Sequence, residues 1–92
     1  MQIVVNPTKE TAESPSVTIP SGGHVIFGLH GVSVGQITVG HKIQVLVDGS
    51  WHDHLSWPSS EPTIVVYGSS ESDITVRAVK AATNTPVGIR QA

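Results

Sequence analysis

Histidine is the residue type with the widest chemical reach in this chain, and there are five: His24, His30, His41, His52 and His54. The sharpest arrangement is W-H-D-H at 51–54, because an H-x-H pair on a strand points two imidazoles to one face. Zinc takes three or four protein ligands, so His24, His30 or His41 would have to join that pair. Without them His52 and His54 sit half-exposed beside a hairpin, and the sequence predicts neither a metal site nor a cofactor. Asp53, a histidine and one of many serines can be written as a hydrolytic triad. Yet no G-x-S-x-G elbow occurs, and so small a domain seldom encloses a substrate pocket, so no enzymatic activity is expected. Glu71 and Asp73 read as solvated loop charges, and Asp48-Gly49 is not a D-x-D-x-D-G calcium loop. Trp51, Trp57 and Tyr67 could form a stacking platform for sugars. The plainer reading buries one tryptophan and leaves the other at a sheet end or an interface.

These side chains need a scaffold, and the scaffold reads as all-β. Residues 73–90 (DITVRAVKAATNTPVGIR) alternate Ile74, Val76 and Ala78 with Thr75, Arg77 and Val79, the period of a strand with one buried face. Asn84, Thr85 and Pro86 then turn the chain before Val87 and Ile89, so one hairpin is predicted. Val25, Phe27 and Leu29 alternate through 24–30, a central strand in which Gly28 marks a bulge or a close backbone approach. Val17 and Ile19, between Pro15 and Pro20, suit an edge strand. Residues 34–39 form a weaker strand, and 42–47 a strong one with Ile43, Val45 and Val47 in step. Residues 62–67 (PTIVVY) complete the set. Ser21-Gly22-Gly23 and Gly68-Ser69-Ser70 read as turns, and one helical turn at most fits near 57–61. Turn signals every 8–12 residues predict a small antiparallel β-sandwich, immunoglobulin-like or related, of about seven to eight short strands.

Asp48-Gly49 is the strongest hairpin signal, and its loop length decides which way the 51–57 limb faces. A three-residue loop, favoured because it buries Trp51, places Val45 opposite Trp51. Trp51, Asp53 and Leu55 then share the face of Ile43 and Val45, and a two-residue turn reverses this. Residues 1–5 form a short apolar strand stopped by Asn6-Pro7, and 8–14 a polar joint. Two readings follow for residues 1–14: an arm that adds to a neighbour's sheet, or the first strand of its own domain, with residues 15–92 as the sandwich proper.

Composition limits the partners. Ninety-two residues make one domain near the lower end of self-sufficient size. With no cysteine, disulfides cannot help it, which leaves association open. Charged residues are 13% of the chain, against roughly 25% in ordinary soluble domains. Such low charge favours self-association, and a homo-oligomer is expected. The five basic residues are scattered and the net charge is −2, so no nucleic-acid partner is expected. No apolar run approaches the roughly 18 residues of a membrane span. The start, MQIVVNPTKE, lacks a signal-peptide pattern, so synthesis in a cytoplasm is expected.

Three blocks carry a resemblance: T-I-P-S-G-G-H-V-I-F-G (18–28), D-G-S-W-H-D (48–53) and I-T-V-R-A-V-K-A-A-T-N-T-P-V-G-I (74–89). They resemble small accessory virion proteins of tailed bacteriophages, among them capsid decoration (cement) proteins with immunoglobulin-like β-sandwich folds. The resemblance implies a virion protein, made in the host bacterial cytoplasm, that binds between major capsid subunits as a dimer or trimer. It supplies no catalytic or binding residue. A tail or fibre component, or a carbohydrate-binding module using Trp51 and Trp57, are the alternatives. Ile3, Val5, Trp51, His52, His54 and Trp57 are the expected interface residues.

Overall fold

The computed structural model describes residues 1–31, 40–59 and 61–92. Nine strands occur among them: β1 (Gln2–Thr8), β2 (Ala12–Glu13), β3 (Val17–Ile19), β4 (His24–His30), β5 (Lys42–Val47), β6 (Ser50–Ser56), β7 (Thr63–Tyr67), β8 (Ile74–Lys80) and β9 (Val87–Gln91). No helix occurs among the described residues; the turn expected near 57–61 is a single bond from Glu61 N–H to the Pro58 carbonyl at 3.1 Å. The weak strand expected at 34–39 lies outside the described residues. Every pairing is antiparallel, and the strands form two sheets. One has four strands in the order β1-β9-β4-β7. The other has five, ordered β2-β8-β5-β6, with β3 also on β8. The molecule is a small β-sandwich, with slightly more strands than expected because β2 and β3 are short pieces of one edge.

Alternation puts one side of each strand inward. Val25, Phe27, Val66 and Ile89 from the four-stranded sheet meet Ile19, Ile43, Val76 and Ala78 from the five-stranded sheet in one core. Burying each Val, Ile or Phe side chain among these is worth roughly 1.5–3 kcal/mol. β4 is central, between β9 and β7, as its pattern predicts. Its pairing runs through Gly28 without a shift, so this glycine marks a close approach and not a bulge: a Cβ there would stand 3.1 Å from Met1 Sδ.

Three expectations are corrected. β8 and β9 do not form a hairpin, because β8 belongs to the five-stranded sheet and β9 to the four-stranded one; residues 81–86 cross the sandwich. The Asp48-Gly49 loop has two residues, not three: Val47 faces Ser50, Leu46 faces Trp51 and Val45 faces His52. Asp48 (φ 51°) and Gly49 (φ 79°) both take left-handed backbone, as a type I′ turn requires and as Asp-Gly tolerates best. β1 runs on through Asn6-Pro7 to Thr8, with register shifts between Ile3 and Val5 and between Val5 and Thr8. An edge strand can accept this, since proline's missing donor there faces no partner strand. Residues 1–14 lie against both sheets of the domain, β1 on β9 and β2 on β8.

Candidate contact surface

The two-residue turn sets the outer face of the five-stranded sheet. Leu46 faces Trp51, and Gln44 faces both Asp53 on β6 and Arg77 on β8. Trp51 therefore lies outward, half-covered, with the Arg77 guanidinium carbon 4.3 Å from its ring centroid. Arg77 Nε donates to Gln44 Oε1 at 2.9 Å, and Gln44 Nε2 donates to Asp53 Oδ1 at 3.1 Å. Lys42 Nζ reaches the same carboxylate oxygen at 3.0 Å. The bonds from Gln44 and Lys42 hold the Asp53 carboxyl below the usual carboxylate range. Both charges are exposed, so the ion pair adds little stability. It fixes a polar row across three strands.

The histidine pair of β6 does not share a face simply. Gln44 pairs with Asp53 while Ile43 pairs with Leu55, so His54 is the extra residue of a bulge. Both imidazoles are exposed. Among the described residues no three His, Asp or Glu side chains converge. His30 Nδ1 accepts a bond from Arg90 Nε at 2.9 Å, and His24 lies 6.2 Å from the Tyr67 ring.

Trp57 corrects the interface expectation most clearly. It is 4% exposed and belongs to the core, its Nε1 donating to the Glu61 carbonyl at 2.8 Å. With one tryptophan inside and the other beneath Arg77, the sugar platform is not formed. Val5 pairs with Ile89 and packs against the core, whereas Ile3, two residues earlier and across a register shift, stays exposed. Of the residues expected at an interface, Ile3, His52 and His54 are exposed and Trp51 is half-covered.

Sequence reasoning passed over Lys80 and the burial of His41. Lys80 has no exposed surface because it continues the inward row of Val76 and Ala78 on β8. Its ammonium donates to the carbonyls of Glu10 (2.6 Å) and Ala81 (2.8 Å) and to Thr83 Oγ1 (3.5 Å). Burial lowers its pKa from the ordinary lysine value, while the three acceptors satisfy the charge. His41 Nδ1 accepts from Ala81 N–H at 2.9 Å, so the neutral ring carries its proton on Nε2. That atom is buried without a partner among the described residues. Burial first, then the Lys80 cation, push the His41 pKa down. The signal for Lys80 was its place in the period-2 row.

The outer face of the four-stranded sheet has a different character. Register places Tyr67 beside His24, Val65 beside Ile26, and Ile3 beside Arg90. Met1 is 56% exposed, Ile3 43%, Val65 39% and Tyr67 70%. No Asp or Glu occurs anywhere in β1, β4, β7 or β9. At about 4.8 Å per strand this sheet is roughly 14 Å across from β1 to β7, and apolar side chains stand at both margins. Comparison of the chain with family models, curated proteins and solved structures finds no match in any of the three.

Proposed function

We propose that this chain is a non-enzymatic structural protein of a virion, a capsid decoration protein that binds between major capsid subunits. One observation carries the reading: the outer face of the four-stranded sheet exposes Met1, Ile3, Val65 and Tyr67 with no carboxylate on any of its strands. Exposed apolar side chains gathered on one sheet face support a protein-contact site. A low-charge chain without cysteine gains stability from such contact. Each contact is modest, and a lattice of repeated sites supplies avidity.

The test is co-sedimentation with expanded, emptied heads of the tailed phage whose genome carries the chain. The wild type should pellet with the heads and raise the temperature at which they rupture. The double variant Ile3→Ser/Tyr67→Ser should lose at least about tenfold in binding, roughly 1.4 kcal/mol, while melting as a folded domain. Heads that pass through unbound, or a double variant that binds as well as wild type, would overturn the reading.

A further inference from the structure

A β-sandwich has four free sheet edges, and natural proteins guard such edges against unwanted pairing. Three of the four are guarded here. β1 carries Pro7 and two register shifts. The β2/β3 edge consists of two- and three-residue strands, with Pro15 between them and Pro20 after. β6 carries Asp53 and the shift at His54. β7 has none of these devices. Its five residues TIVVY contain no proline and no charge, and they pair with β4 in unbroken register from His24↔Tyr67 to Gly28↔Thr63.

The direction of the free backbone groups follows from the ladder. Leu29 N–H donates to the Pro62 carbonyl and Gly68 N–H to the Gly23 carbonyl, each at 2.8 Å. The even-numbered positions of this segment therefore bond to β4, and Thr63, Val65 and Tyr67 turn their N–H and C=O groups outward. Among the described residues nothing bonds these groups. An extended strand can pair with such a row through its own backbone.

We propose that β7 is a strand-pairing edge and that its occupant is a second copy of this chain, joined antiparallel through a two-fold axis at Val65. That axis sets Val65 against Val65 and Thr63 against Tyr67, and every outward N–H and C=O of both strands finds a partner. No charge is present to repel the copy or to select a charged peptide instead. A two-fold contact also closes on itself, so the unguarded edge is used up and does not seed a fibre. The pairing doubles the apolar face assigned above to shell binding, and to that extent rests on that reading.

Light scattering after size exclusion tests it, with the full chain loaded between about 1 μM and 1 mM, since a strand-edge contact lies at the small end of specific interfaces. The wild type should move from the 9.7 kDa of one chain to twice that mass. Val65→Pro removes an outward N–H and leaves the β4 ladder intact, and Val65→Lys places a charge against its own copy. Both should weaken dimerisation at least tenfold while keeping the β circular-dichroism spectrum. If Val65→Pro unfolds, Val65→Lys decides, because that side chain is already exposed. A wild type that stays monomeric throughout, or a folded Val65→Lys that still dimerises like wild type, would overturn the pairing. A monomer that nevertheless binds phage heads would sink the pairing alone, and a Val65-dependent dimer that ignores heads would sink the shell reading alone.

Discussion

Among the described glycines, Gly88→Ala should be the most damaging addition of a methyl group. Gly88 lies on β9 where β1 crosses it at the Asn6-Pro7 irregularity. A Cβ there would stand 2.9 Å from Pro7 N and 3.0 Å from Asn6 C, and closer still to the Val5 carbonyl oxygen. Ordinary carbon contacts lie at about 3.5–4.0 Å, so β1 must lift by roughly 1 Å. All three obstacles are backbone, and no rotamer change relieves them. Overpacking of this kind costs about 1–3 kcal/mol. For a domain of this size each 1 kcal/mol moves Tm by about 4–8 °C, so a fall of roughly 5–20 °C is expected. Gly28→Ala is the control: its new methyl would meet Met1 Sδ at 3.1 Å, the far end of a flexible side chain, with Met1 Cε and Thr63 Cγ2 at an ordinary 3.5 Å. That variant should stay within about 0.5 kcal/mol of wild type, or gain slightly from a less flexible unfolded chain. Urea melts at constant m value separate the two. Should Gly88→Ala prove as well tolerated as Gly28→Ala, the close approach of β1 to β9 is wrong.

Three further outcomes test the interior and the outer row. The His41 pKa lies below its ordinary 6.5 in the folded chain, so between the folded value and 6.5 the unfolded chain holds more protons and stability falls as pH drops; Tm measured from pH 7.5 to 5 should decline, and His41→Gln should flatten the slope. Lys80→Met strips the donor from the Glu10 and Ala81 carbonyls and should cost about 1–3 kcal/mol, read as a lower urea midpoint; an unchanged midpoint would mean those carbonyls find other partners. Arg77→Ala uncovers Trp51 and should raise acrylamide quenching of one tryptophan, at a stability cost of about 0.5–1 kcal/mol, while buried Trp57 stays protected.

What could be read in the sequence was what period-2 alternation encodes by itself. Val25, Phe27 and Leu29 announce a strand because alternate side chains form one apolar row that the facing sheet buries. Val17 and Ile19 announce an edge because prolines bound them. Loop length was harder to read at Asp48-Gly49, since Ile43 and Val45 stay on one face in either register and the loop decides only whether Trp51 or His52 joins them. The chain keeps the aliphatic row inward, and Trp51 is accommodated outside by Arg77. Lys80 was missed for another reason, although its period-2 position pointed inward. A lysine in an inward register reads as a solvated strand end unless acceptors are known to meet it, and Glu10, seventy residues away, is one of them.

The crossing of residues 81–86 shows why alternation could not choose between a hairpin and a bridge between sheets. Ile74, Val76, Ala78 and then Val87, Ile89 present an inward row in either case: two strands hydrogen-bonded side by side and two strands facing across a core share one hydrophobic pattern. The deciding contacts are those at the end of the sandwich. Two crossings of the chain matter there, one between β1 and β2 and one between β8 and β9. Thr83 N–H donates to the Lys9 carbonyl at 2.9 Å, and the Lys80 ammonium bonds a carbonyl from each crossing. Ser14 takes the adjoining place on β8: its N–H donates to the Ala78 carbonyl at 2.8 Å, and its hydroxyl accepts from Ala78 N–H at 2.9 Å. A β8–β9 hairpin would take β9 away from β4 and strand that cation without its Glu10 acceptor. Residues 1–14 are thus part of what closes the core, with β1 paired to β9 in one sheet and β2 to β8 in the other.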